Sequence, residues 1–88
     1  MVTLLTDPEV TEYGKTTVVD ARGVACPGPM IEAKKAMSGV AVGDVMELWS
    51  GDSQTKEDMG YWTEMAGHAF LGAIPARGYD RLFIRRGK

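Results

Sequence analysis

Cysteine is nearly absent from this chain. Cys26 is its one thiol among 88 residues, and His68 is its one imidazole. A single thiol closes no intrachain disulfide, and one thiol with one imidazole falls short of the four ligands of a structural zinc site. Neither a metal nor a cofactor is expected, and a reducing compartment, the cytoplasm, is the expected setting. Long apolar runs are missing too, since none approaches the roughly 20 residues that cross a bilayer. The opening "MVTLLTDPEVTEYGK" carries Asp7 and Glu9 without a basic start, so it does not read as a secretory signal. Nor is there a strong excess of one charge. A net charge of -2 with 25% charged residues supplies no global attraction to nucleic acid, and no direct nucleic-acid binding is expected.

What is present is enough for one small domain, which buries roughly 60% of its unfolded surface. Residues 1–14 are polar, contain Pro8 and have no clear period, so they read as a flexible N-terminal arm ahead of a domain over 15–88. "TTVVD" is a short β-branched strand that ends at Arg22 and Gly23 in a turn. From Pro27 to Ser38, Met30, Ala33 or Lys34, and Met37 recur at helical spacing, and Gly39 is the expected stop. "VMELW" follows as a strand closed by "SGDS". Ser53 or Thr55 is the expected cap of a second helix, with Glu57 and Asp58 in its first turn and Met59, Trp62, Met65 and Ala66 as its inward stripe. "AFLGAI" and "YDRLFIRR" complete the chain as strands joined through "PARG".

The order βαβαββ implies an α+β, two-layer sandwich: a four-stranded mixed sheet with both helices on one face. The other face is then open to solvent or to a partner. Trp49, Leu48, Phe70 and Phe83 divide between the two faces, and those pointing outward form a candidate docking surface.

The chemistry points to "ARGVACPGPMIEAKKAM", residues 21–37. With Cys26 as N-cap, Pro27 is the first helical residue, where a missing N–H costs nothing, and Pro29 the third. The amides of Gly28 and Met30 survive and are aimed along the helix axis, while Gly28 relieves the restriction on a residue that precedes proline. Partial positive charge at a helix start favours thiolate over thiol, and favours an anionic group carried on the sulfur. With no resolving cysteine, such a sulfur suits attack, carriage and release to another protein. The alternative is a buried structural cysteine.

The same stretch, written from Asp20 as "DARGVACPGPMIEAKKAM", resembles the TusA/SirA family of small sulfur carriers, whose hallmark is Cys-Pro-x-Pro at the start of the first helix. The likeness continues through "VGDVMEL", "GDSQTKEDMGYW", "AGH" and "YDRLFIRRG", so it covers residues 16–87. Met59 and Gly60 stand where relatives often carry Ile-Pro. The resemblance implies the βαβαββ sandwich and transfer of sulfane sulfur, with Cys26 as the carrier in persulfide or thiosulfonate form. It implies loop-shaping roles for Pro27 and Pro29, and Arg22, Gly23, Gly28 and Met30 are expected beside them as loop-shaping or anion-stabilising residues. It also implies a rhodanese-like protein or cysteine desulfurase as donor and a partner such as a DsrE-like protein as acceptor. Sulfur oxidation or sulfur trafficking is the expected setting, with tRNA thiolation or cofactor biosynthesis as alternatives. A non-catalytic interaction or regulatory module and a thiol redox sensor are rival readings.

Other residues divide between function and structure. Arg22 either helps hold an anionic sulfur group or pairs with Asp20, which receives turn amides. Lys34, Lys35, Arg85 and Arg86 form a possible surface for an acidic partner. Asp52 and Asp58 read as turn and capping residues, and His68 as a partner of the last helix carbonyls. The chain is expected to be a monomer.

Overall fold

The computed structural model describes residues 4–6, 13, 16–24 and 28–88. The chain runs β1 (Thr16–Asp20), α1 (Gly28–Met37), β2 (Val45–Ser50), α2 (Thr55–Ala66), β3 (Ala69–Ala76) and β4 (Tyr79–Arg85). The strands form one sheet in the order β1-β2-β4-β3. β1 is parallel to β2, while β4 lies antiparallel to both of its neighbours, so the sheet is mixed as expected. β3 consequently runs in the same direction as β2. Both helices are therefore crossovers that begin beyond the C-terminal ends of β1 and β2, at one end of the molecule.

Alternation along the strands divides the sheet's two faces. Met46 and Leu48 of β2, Leu82 and Ile84 of β4, and Ala73 of β3 form the main core with Met30, Ala33 and Met37 of α1 and Met59 of α2. Val45 and Phe83 point the other way, yet both are fully buried. Leu5, Tyr13, Leu71 and Ile74 pack around them. Leu5 and Tyr13 belong to the stretch that reads as an arm. Leu4 bridges Ala73 in parallel fashion, and the Leu5 N–H donates to the Ala73 carbonyl at 2.8 Å. Of the four residues that had to divide, Leu48 and Phe70 join the helix side, and Trp49 and Phe83 the rear.

Three local expectations are corrected. Of the expected inward stripe of α2, Met59 is buried and Trp62 packs half-buried against the core, whereas Met65 is 87% exposed and Thr55 and Thr63 take buried places instead. Apolar spacing misled here because Thr63 turns its hydroxyl onto the Met59 carbonyl at 2.8 Å and so buries cheaply. Neither Ser53 nor Thr55 caps α2. The N-cap is Gln54 without a side-chain cap bond, and the buried Thr55 hydroxyl instead accepts from Ser50 Oγ at 2.9 Å. "PARG" is not all loop: β3 continues through Pro75 and Ala76, and Arg77–Gly78 alone make the turn, with Gly78 at φ 81°. Proline is tolerated there because β3 is an edge strand.

Candidate functional site

Cys26 and Pro27, with Ala25, lie outside the described residues, so the site is built from its two flanks. On one side β1 delivers Asp20, and the Ala21 N–H extends the ladder to the Trp49 carbonyl at 2.9 Å. Ala21 is fully buried. The chain then turns: Gly23 sits at φ 80°, in the left-handed region that glycine reaches without strain, and the Val24 N–H closes back on the Ala21 carbonyl at 3.3 Å. On the other side α1 starts at Gly28, with Pro29 and Met30 buried against the core. The two flanks touch. A Cβ placed on Gly28 would run into Val24 Cγ1, so a side chain there requires Val24 to move.

Asp20 and Arg22 are tied closely. The Asp20 carboxylate accepts from the Arg22 backbone N–H at 3.1 Å, from Nε at 2.9 Å and from Nη2 at 2.7 Å. Both side chains remain 46% exposed. The Arg22 hydrogen bonds, side chain first and then backbone, hold the Asp20 carboxyl below its ordinary value despite a small opposing desolvation. The guanidinium carbon Cζ also lies 4.7 Å from the centre of the Trp49 ring and 5.0 Å from that of Tyr79. Of the two roles open to Arg22, pairing with Asp20 is the one its geometry shows.

The helix start itself is electrostatically selective. α1 has no carboxylate in its first turn and carries Lys34 and Lys35 in its last, so the positive end of its dipole is not neutralised locally. α2, which begins at the same end of the molecule, has Glu57 and Asp58 in its first turn. A shallow depression between the two crossovers is lined by Gly23, Val24, Gly51, Asp52 and Ser53. It lies outside the carboxyl ends of the parallel strands β1 and β2, where open α/β sheets commonly place their ligands. Asp52 serves the turn, as expected: its Oδ1 accepts the Gln54 N–H at 2.9 Å.

The four cationic residues of the candidate partner surface do not gather at this end. Lys34 and Lys35 are exposed along α1. Arg86 reaches the far end of that helix, where its Nη1 donates to the carbonyls of Met37 at 3.2 Å and Val40 at 2.6 Å. Arg85 lies over the Tyr13 ring at 5.6 Å. His68 does not serve the last carbonyls of α2 through its ring. Its Nδ1 accepts the Gly87 N–H at 3.0 Å, while its backbone N–H donates to the Thr63 carbonyl.

Two groups without a local signal in the sequence complete the surroundings. Glu47, 5% exposed on the rear face, accepts from Trp49 Nε1 and from Arg81 Nε, the latter at 2.8 Å. The Trp49 and Tyr79 rings lie 5.5 Å apart, centre to centre. The alternation of Glu47 with Trp49 along β2 puts them on one face, but nothing local links them to Arg81 or Tyr79.

Comparison with known proteins agrees with this arrangement. The family model described as sulfurtransferase TusA matches residues 17–86. YrkF of Bacillus subtilis is 36% identical over 72 residues, which is 82% of this chain and 39% of YrkF, so the chain spans well under half of that relative. A protein of Archaeoglobus fulgidus is 38% identical over 71 residues, covering 81% of this chain and 97% of the relative. The sulfur carrier protein TusA of Pseudomonas entomophila is 27% identical over 77 residues, 88% of this chain and 96% of that one. In fold, the chain is similar to a crystal structure of a SirA-like protein from Desulfitobacterium hafniense, with a TM-score of 0.70 at 22% identity, covering 84% of this chain and all of that one.

Proposed function

This chain belongs to the TusA family of sulfurtransferases, and on that premise we propose that Cys26 accepts sulfane sulfur from a donor protein and hands it to an acceptor. The observation that carries the reading is the start of α1: the Cys-Pro-Gly-Pro stretch runs, from Gly28, into a helix whose first turn holds no carboxylate. A thiolate, or the anion of a carried persulfide, is favoured there, and Glu57 and Asp58 make the neighbouring start of α2 less favourable.

The step needs no oxidant. The Cys26 thiolate attacks the outer sulfur of a donor persulfide, a new S–S bond forms to Cys26, and the donor's own S–S bond breaks with the electron pair leaving on the donor cysteine thiolate. Cys26 then carries the sulfur as a persulfide until an acceptor thiolate repeats the attack. A thiosulfonate is the alternative cargo. Pro27 and Pro29 stiffen the loop, and Gly23 and Gly28 allow its flanks to meet. A rhodanese-like protein or cysteine desulfurase fits the donor's role, and a DsrE-like protein that of the acceptor. Sulfur oxidation or trafficking is the setting we favour over tRNA thiolation, and the cytoplasm the compartment. No helix among the described residues is long and apolar enough to cross a membrane.

The test is intact mass spectrometry of the reduced protein after incubation with thiosulfate, tetrathionate or polysulfide, and separately with a persulfidated rhodanese or cysteine desulfurase. A sulfur adduct removed by reductant and missing in Cys26→Ser is the expected result. An adduct retained in that variant, or none from any donor with the thiol accessible, overturns the assignment.

A further inference from the structure

Arg22 is held by more contacts than an exposed ion pair requires. Asp20 grips both its main chain and its guanidinium, and the guanidinium carbon lies over two neighbouring aromatic rings from different strands. One of those rings is itself anchored. Trp49 donates to Glu47, and Glu47 is fixed in turn by Arg81 of β4. From Arg22 the contacts continue forward through Gly23 to Val24, whose side chain lies against Gly28 at the start of α1. One chain of contacts thus runs from the rear face of the sheet, around its C-terminal edge, to both flanks of residues 25–27.

We infer that Trp49 and Tyr79 are positioning residues for sulfur transfer, holding the Arg22 turn in place against the start of α1, the two described flanks of Cys26. The inference rests on the reading of Cys26 as the carrier. Neither ring belongs to the Cys-Pro-Gly-Pro stretch, and neither has a reactive part to play. Their role is geometric: a planar cation resting over two neighbouring aromatic rings is located in position, whereas a lysine at the same place would be a freely turning point charge. Electrostatic help from a helix start falls off within its first turn, so a displaced turn weakens thiolate stabilisation without removing the thiol.

The experiment compares wild type with Trp49→Leu/Tyr79→Leu, the conservative Tyr79→Phe, and Arg22→Lys, with thermal unfolding checking that each is folded. Two readouts are taken: the rate of sulfur loading from polysulfide by intact mass, and the pH profile of Cys26 alkylation by iodoacetamide. The leucine pair and Arg22→Lys are expected to load about tenfold more slowly and to alkylate with a midpoint moved to higher pH. Tyr79→Phe keeps both rings and the Trp49–Glu47 bond and is expected to keep both readouts within about twofold of wild type. A leucine pair that loads and alkylates like wild type overturns the inference. If the leucine pair fails to fold, Arg22→Lys decides on the same two readouts. Failure of the wild type to load refutes the carrier reading instead, and the alkylation profile still decides whether the rings position the thiol.

Discussion

His68 shows how one side chain ties a chain terminus to the fold. Its Nδ1 accepts the Gly87 amide at 3.0 Å, and its ring meets Trp62 edge-on with centroids 5.3 Å apart. Burial, followed by the positive charges of Arg86 and Lys88, pushes its pKa below the ordinary 6.5. A protonated ring would donate from both nitrogens and lose the bond to Gly87. The sign follows from linkage: below 6.5 the unfolded chain takes up a proton that the folded protein resists, so stability is complete above that value and falls as pH drops through the folded one. Thermal unfolding of wild type and His68→Gln at about pH 7 and about pH 5 tests this. The wild type is expected to lose more stability than the variant, and equal losses would remove His68 from the account. The same scale explains why Gly28 cannot be exchanged freely, since any Cβ meets Val24.

Elements are joined at their ends. α1 needs its C-terminal carbonyls satisfied, and Arg86, from just beyond β4, supplies a guanidinium to that of Met37, its last residue, and to that of Val40 in the turn that follows. That arrangement turns a cation from the basic tail into a cap, 49 residues from its Met37 partner. Arg86→Gln is expected to cost about 1–3 kcal/mol, the range of hydrogen bonds to a charged group and of orphaned partners. Amide exchange should quicken in the last turn of α1, and the His68 pKa should move back towards its ordinary value, because Arg86 is one of the charges that lower it. A stability change under about 0.5 kcal/mol, the scale of an ordinary surface substitution, would contradict the capping role. α2 ends differently: Gly67 takes φ 83° and the His68 N–H reaches back to the Thr63 carbonyl, the left-handed close that glycine favours.

At the scale of the whole molecule, an 88-residue chain has a total stability of only roughly 4–13 kcal/mol. Its core is two-sided. The helices cover one face of the sheet, and Leu5 with Tyr13 helps cover the other around Val45 and Phe83. Phe83→Ala is therefore expected to cost about 3–5 kcal/mol although the residue faces away from both helices. Urea denaturation measures it, and a loss below about 1 kcal/mol would mean that the rear face contributes little to the core. The same packing makes the rear of the sheet a place from which contacts reach the carrier turn, through Arg81, Glu47, Trp49 and Arg22.

The architecture was legible in the residues because local rules and the fold agree. Strand alternation, helical spacing in α1, the stops at Gly39 and Gly67 and the βαβαββ order follow from periods and turn residues that act over a few positions. So does the prominence of the Cys26 stretch, where proline and glycine restrict a helix start. The buried face of α2 was only partly legible, because a threonine that satisfies its own hydroxyl buries as well as a methionine. Not legible at all were the placement of Arg86 on α1, the Glu47–Arg81 pair 34 residues apart, and the aromatic rings beside Arg22. Each depends on which strands become neighbours. That is a property of the folded sheet, since hydrogen bonds and ring contacts between distant segments leave no period in the chain that makes them.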